Sequence, residues 1–354
     1  MSQLGVFFTG DTTEVKSVPK YAPEKGQVLV KNVAVASNPK DWKYPAWVKT
    51  WTAVEGSDVA GYVEEVGEGV TDFKKGDQVA GFSEMVKHSK FGAYQQYTIV
   101  PDHTLFQLPR GCSFEEAATY PLAFMTAALG LFESLKLPTP LEPVAPADKF
   151  PIIIWGASTS VGAYAVQLAK AAGLDVIGVA GSSGDYAKEL GADEVIDYRG
   201  KSAQEMAAAF KSALGGRGAQ VTRVFDTISE TSSLVPIVEF LSSNPAPSKI
   251  TTILLTPVTL PEDGRIENVP TYVKSVHEKE LAYAGTILPY EGDFAKKWYR
   301  WLSQEGKKTI KPNRVKLIPR GLNGVGEGMK LLREGKINAA KLVYRIDDTQ
   351  KGLL

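Results

Sequence analysis

Residues 151–181 read PIIIWGASTSVGAYAVQLAKAAGLDVIGVAG, and the order of chemistry along this stretch decides the fold. Ile152, Ile153, Ile154 and Trp155 form an unbroken apolar run, as expected of a parallel strand buried on both faces. The run meets a turn of small residues, Gly156 to Gly162, where the backbone can approach a phosphate closely. A helix follows, with Ala165, Val166, Leu168, Ala169 and Ala172 on one face and Gly173 at its end. Its N-terminal N–H groups and partial positive charge point at the same place. Val176–Val179 then supplies a second strand. Ser158 and Ser160 interrupt a strict GxGxxG, but strand, turn, helix and strand in this order predict a dinucleotide-binding βαβ unit. The alternative is an ordinary crossover with a small-residue turn. On the first reading Gly156, Ser158, Thr159, Ser160 and Val161 face the pyrophosphate.

The end of the second strand selects the dinucleotide. An NAD site usually carries Asp or Glu about 20 residues beyond the glycine turn, where it bonds the ribose 2′-hydroxyl and repels a 2′-phosphate. Here that stretch is Ala180-Gly181-Ser182-Ser183-Gly184, with no acid before Asp185. NADPH is therefore the expected cofactor, with Ser182 and Ser183 offering hydroxyl and backbone donors. Tyr198, in VIDYR, either closes over the same phosphate or is a half-buried strand-end aromatic. Arg199 or Lys188 is the nearby cation, although Lys188 also reads as a solvated helix charge. The segment itself has no basic residue beside its hydroxyls.

Length and composition bound the rest. A chain of 354 residues is long for one core, and about two domains are expected. Lys plus Arg and Asp plus Glu number 40 each, so no basic excess points to nucleic acid or an anionic membrane. Cys112 is the one cysteine, which excludes intramolecular disulfides and a cysteine-rich zinc site and fits a reducing compartment. MSQLGVFFTG lacks a basic n-region and a long apolar core, and the longest mostly apolar run, Ala117–Phe132, is shorter than a membrane span. The expectation is a cytoplasmic protein in which that run is a buried interdomain helix. Leu137–Pro151, rich in proline, reads as a surface connection.

Residues 1–118 are patterned differently. Gln27–Ser37 alternates, and Ser57–Gly81 is a chain of short strands joined by glycine turns, together a small β-rich barrel-like unit. The order of GSDVAGYVEEVG, KKGDQV, FGAYQQYTIV, FEEAATYPLAFMTAALGL, the nucleotide unit, LGADEVIDYR and GKINAAKLVYRI resembles the medium-chain dehydrogenase/reductase superfamily over essentially the whole chain. It is most similar to the zinc-free fungal branch of enoyl reductases and quinone-oxidoreductase-like proteins. The resemblance implies an α/β chain in two domains. One is a GroES-like β-rich catalytic domain, 1–120 completed by 290–354. The other is a Rossmann doubly wound parallel-sheet domain, 121–289.

Zinc enzymes of the superfamily hold their catalytic metal at positions that match Asn38, Ser57 and Leu122 here. None of these is a zinc ligand, and only Asp58 remains from the ligand-bearing turn. The stretch between Gly81 and Gly92 is too short for a structural zinc lobe and holds no cysteine. His88, His103 and His277 are scattered singly. A metal-free site is therefore expected.

Without a Lewis acid, hydride addition to an unactivated carbonyl lacks stabilisation of the developing alkoxide. Addition to a conjugated C=C bond delocalises the charge into an enolate, which a few hydrogen-bond donors can hold. The expected activity is NADPH-dependent reduction of an enone, enal or enoyl thioester, or of a quinone. The alternatives are a trans-acting enoyl reductase of a polyketide synthase, with an acyl carrier domain as partner, a metal-free carbonyl reductase, and a non-catalytic NADPH-binding protein. By the resemblance, Asn38, Lys40, Asp41 and Lys43 lie beside the nicotinamide. Asn38 and Asp41 are expected at the cofactor, and Lys40 and Lys43 as donors to the enolate or as solvated charges. Thr126 faces the nicotinamide or bonds back to its own helix. Thr256 and Lys341 flank the nicotinamide end. Trp42, Tyr44, Trp47 and Trp51 crowd what reads as a loop, either lining an apolar cleft for the aryl or long acyl group of a small-molecule, apolar or aromatic α,β-unsaturated carbonyl substrate or filling the domain's own core.

Overall fold

The computed structural model describes residues 1–10, 12–84, 87–108, 110–215, 220–255, 258–283 and 285–350. The N-terminal part is built from β1 (Ser2–Thr9), β2 (Thr12–Pro19), β3 (Gln27–Ala36), a short helix α1 (Lys40–Trp47), β4 (Thr52–Val54), β5 (Asp58–Val66), β6 (Gln78–Phe82), β7 (Tyr97–Pro101) and β8 (Leu105–Gln107). The apolar positions of β3 and β5 interleave across an antiparallel register that runs from Val28 opposite Val66 to Ala36 opposite Asp58. Gly61 is required in it: a Cβ there would lie 2.0 Å from the Lys31 carbonyl oxygen. The WKYPAWVKTW stretch is not the loop expected. Residues 40–47 wind into α1, where Asp41 accepts the Asn38 backbone N–H at 2.8 Å, satisfying a donor that the helix start would otherwise leave open.

The apolar run Ala117–Phe132 is buried as expected, but in three pieces. They are α2 (Phe114–Ala117), α3 (Pro121–Ala128) and a π-helical turn over Leu129–Ser134. Ser113 and Glu116 close a reciprocal capping box on α2, and Pro121 opens α3, where its missing N–H costs nothing. Every residue of α3 is buried, because the helix lies in the core between the two sheets.

The second sheet contains β9 (Pro151–Trp155), β10 (Asp175–Ala180), β11 (Glu194–Asp197), β12 (Arg223–Asp226), β13 (Ser248–Thr252) and β14 (Ile266–Asn268), in the order β11-β10-β9-β12-β13-β14 with every pair parallel. Helices α4 (Ser160–Ala171), α5 (Gly184–Glu189), α6 (Ala203–Ala213) and α7 (Thr231–Ser242) connect its first five strands. This is the doubly wound order, and its switch point lies between β9 and β12, where a crevice opens at the carboxyl ends of the strands. A hairpin of β15 (Leu281–Tyr283) and β16 (Thr286–Leu288) and helix α8 (Gly292–Gln304) follow. The chain then returns through β17 (Val315–Leu317), α9 (Val325–Arg333) and β18 (Lys341–Arg345). Val343 of β18 pairs with Ala36 of β3, so the last strand completes the first sheet. Among the described residues no helix is long and apolar enough to cross a membrane.

Candidate active site

A cleft of about 710 Å³ lies where the two sheets face each other. Its floor at one end is the turn after β9. Gly156 has φ +76°, and a Cβ on it would come within 2.5 Å of Thr227 Oγ1. A Cβ on Gly162 would sit 2.0 Å from the Gly156 carbonyl oxygen. Both positions therefore need glycine for the turn to close. Thr159 caps α4 by accepting the Gly162 N–H at 3.0 Å, which leaves the N–H groups of the first turn facing the cleft. Gly156, Ser158, Thr159, Ser160 and Val161 all line it. Thr227, at the end of β12, was not anticipated. Its hydroxyl bonds the Trp155 carbonyl at 2.8 Å and lies 3.1 Å from Thr159 Oγ1, fixing the turn from the far side of the switch point.

At the outer end, Ser182, Ser183, Tyr198 and Arg199 line the cleft together. Ser183 donates to Ser158 Oγ at 2.7 Å, and Asn338, just before β18, donates to Ser182 Oγ at 3.1 Å. A Cβ on Gly181 would meet both the Tyr198 hydroxyl and Arg199 Cδ at 3.4 Å. Arg199, two residues past the end of β11, thus brings a cation to this end of the cleft. Asp197 holds the Arg199 guanidinium at 2.6 Å but does not itself line the cleft. Lys188 is exposed on α5 and also lies off the cleft.

The other end is a wall from α1, α3 and β18, lined by Asn38, Lys40, Lys43, Tyr44, Thr126 and Lys341. Lys40 lies 2.9 Å from Asp41 and 3.3 Å from Glu55. Burial presses against its charge, but Asp41 and then Glu55 more than offset that and hold the ammonium above the usual lysine range. Glu55 is pushed up, first by burial and against the pull of Lys40, and it also accepts the Trp51 indole N–H. Lys43 approaches the Trp42 ring at 5.8 Å, and no carboxylate among the described residues is within ion-pair reach of it. Thr126 donates to the Leu122 carbonyl at 2.8 Å, bonding back to its own helix while still lining the cleft.

One expectation is corrected here. Asp41 does not reach the cleft. It is fully buried and accepts the Tyr94 hydroxyl at 2.6 Å and the Asn38 N–H, so it ties α1 to the sheet. The aromatic cluster divides, with Tyr44 and Trp47 lining the cleft and Trp42 packing on the core of the first sheet. Thr256 lies outside the described residues. The single histidines are not all isolated, since His103 and His277 meet at 5.6 Å between ring centres, and burial holds His277 neutral well below the usual histidine range.

The positions that match zinc ligands do not fit a zinc ion. Asn38 is spent at both ends, its Nδ2 on Asp58 at 2.8 Å and its Oδ1 on Lys341 at 2.6 Å. Leu122 has no side-chain ligand atom, and its backbone N–H donates to Asp58 at 2.8 Å. Ser57 has a buried hydroxyl with no partner, a poor zinc ligand. The one carboxylate, Asp58, already faces the Lys341 ammonium at 2.9 Å, and a divalent ion would have to displace that charge. Burial pushes Asp58 up, against the pull of Lys341 and Asn38.

Comparison with known proteins bears on this cleft. Residues 24–110 match the family described as the alcohol dehydrogenase GroES-like domain, and residues 160–244 match that described as zinc-binding dehydrogenase. A trans-enoyl reductase of Gibberella fujikuroi is 38% identical over 281 residues, covering 78% of this chain and 80% of the relative. Among solved structures, a quinone oxidoreductase of Pseudomonas syringae superposes with TM-score 0.72 at 22% identity, over 97% of this chain and 100% of that one. A mycobacterial protein solved in complex with NADPH gives TM-score 0.74 at 21% identity, again over 97% and 100%. Likeness at these identities establishes the fold.

Proposed function

The chain belongs to the medium-chain dehydrogenase/reductase superfamily, and from that premise we propose that it is an NADPH-dependent, zinc-independent reductase of conjugated C=C bonds, in enones, enals or enoyl thioesters, or of quinones. The observation that carries the reading is the wall opposite the nucleotide turn. Its charges are ammonium groups and its donor set does not suit zinc, so hydrogen-bond donors rather than a Lewis acid meet the developing negative charge.

NADPH supplies a hydride when bound. The first turn of α4 offers its N–H groups to the pyrophosphate, with the helix N-terminus adding favourable charge. Ser182, Ser183, Tyr198 and Arg199 hold the 2′-phosphate, and Thr126 and Lys341 border the nicotinamide end. Lys40 stays charged and committed to Asp41 and Glu55, so it orients α1 rather than giving up a proton. Lys43, with no carboxylate partner among the described residues, is the donor free to approach an enolate oxygen. Tyr44 and Trp47 give the mouth an apolar, aromatic face for the substrate.

Turnover tests the reading. NADPH oxidation should be fast with cyclohexenone, cinnamaldehyde and a 1,4-quinone and slow with a simple saturated aldehyde; consumption of the saturated aldehyde alone would overturn it. The Gibberella relative is named a trans-enoyl reductase, and the trans-acting alternative is a second form of this reading, in which the enoyl thioester arrives on a carrier domain. That form requires kcat/KM to be higher with a carrier-loaded enoyl chain than with the same chain on free pantetheine.

Cofactor choice gives a separate prediction. Arg199→Ala removes a charge-assisted contact to the 2′-phosphate and should weaken NADPH binding roughly tenfold while leaving NADH unchanged. Fluorescence titration with both dinucleotides reads this, and equal losses for the two would exclude the role given to Arg199.

A further inference from the structure

Lys341 opens the last strand, yet only 2% of its side chain is exposed. Its ammonium reaches Asn38 Oδ1, 303 residues away in the chain, and Asp58 Oδ2. Asp58 is itself fully buried and also accepts Asn38 Nδ2 and the Leu122 N–H. Four segments therefore meet at one carboxylate: the end of β3, the start of β5, the first turn of α3 and the start of β18. Such a carboxylate needs a countercharge, because an unpaired buried charge is strongly destabilising. Lys341 is the cation that contacts it.

The geometry has two consequences for the cleft. Asn38 lines it, and the rotation of its carboxamide is fixed from both ends, Oδ1 toward the ammonium and Nδ2 toward the carboxylate. Asp58 also satisfies an open N–H at the start of α3, where negative charge suits the helix dipole. One turn further along α3, Thr126 faces the same cleft. We propose that Lys341 is a positioning residue, an internal cation that neutralises Asp58 and so orients Asn38 and α3, assembling this wall of the cleft as a metal ion does where its ligands are present. The role concerns the cleft read above as a reductase site, and its kinetic readout rests on that reading.

Lys341→Met tests the proposal together with the double variant Lys341→Met/Asp58→Asn, which removes the charge imbalance and keeps a carboxamide oxygen for the Leu122 N–H. The single variant should lower kcat with cinnamaldehyde about a hundredfold, with KM for NADPH changed less than about threefold, and should lower the melting temperature. The double variant should regain the melting temperature and at least about tenfold of the lost kcat. A double variant that melts like the wild type but stays as slow as the single one would mean that Lys341 acts on the ligand directly, and would overturn the proposal. Wild-type kcat in the single variant, or a double variant that melts no higher than the single, would overturn it as well. Absence of turnover in the wild type would count against the reductase reading alone, because the melting comparison still decides whether Lys341 neutralises Asp58.

Discussion

Lys40→Met is expected to lose roughly 3–5 kcal/mol of folding stability at pH 8, and less at pH 5. The ammonium lies between Asp41 and Glu55, whose side chains are 0% and 2% exposed. Methionine fills much of the same volume but leaves both carboxylates without their cation. Glu55 already lies above the usual carboxylate range because of burial, and Lys40 is the largest influence pulling it back. Without Lys40 it rises further. A carboxyl raised in the folded state favours folding most at acid pH, below its unfolded value, and that advantage is lost as pH climbs through the folded value. The variant should therefore be most impaired where Glu55 would be ionised. Urea unfolding at pH 5 and pH 8 measures the difference. A loss below about 1 kcal/mol, the range of exposed ion pairs, or a loss independent of pH, would show that the cluster does not carry the buried charge assigned to it.

Gly162→Ala should abolish useful dinucleotide binding, weakening NADPH by at least about a hundredfold, some 2.7 kcal/mol, and should also lower stability. The added Cβ would sit 2.0 Å from the Gly156 carbonyl oxygen and 2.7 Å from its carbon. Both are backbone atoms of the turn, so no side-chain rotation relieves the clash. Opening the turn would pull Gly156 from its place against Thr227 and shift the α4 N-terminus, whose Thr159 cap depends on the Gly162 N–H. Circular dichroism separates the outcomes, because α4 is packed into the core and the fold should survive a local opening of the turn. A folded variant with wild-type NADPH affinity would rule out this turn as the pyrophosphate site.

Local pattern made the nucleotide half of the molecule legible. The βαβ unit, its turn and the absence of an acid after β10 all lie within some thirty consecutive residues, where strand and helix periods are direct consequences of burial. The other end of the cleft was legible as a set of lining residues but not as a set of bonds. Nothing in NPKDW shows that Asp41 turns inward to Tyr94 while Lys40 and Lys43 face the cleft. That depends on 40–47 winding into a helix, which Pro45 and the crowd of aromatics disguise. Contacts across long separations left no mark at all. Lys341 with Asp58, Asn338 with Ser182, and His103 with His277 come together only when β18 and the segment around His277 fold back on the first sheet. Arg199 was visible as a nearby cation, but its packing against Gly181 follows from β11 lying parallel to β10. Thr227 was overlooked because a threonine at a strand end carries no signal until β12 is known to adjoin β9.

The central claim is that hydride goes to a polarised double bond in a site with no zinc to activate a carbonyl. Cinnamaldehyde offers both targets in one molecule. Incubated with the enzyme and NADPH, it should yield the saturated aldehyde, 3-phenylpropanal, as the main product by gas chromatography. Cinnamyl alcohol as the main product would contradict the account.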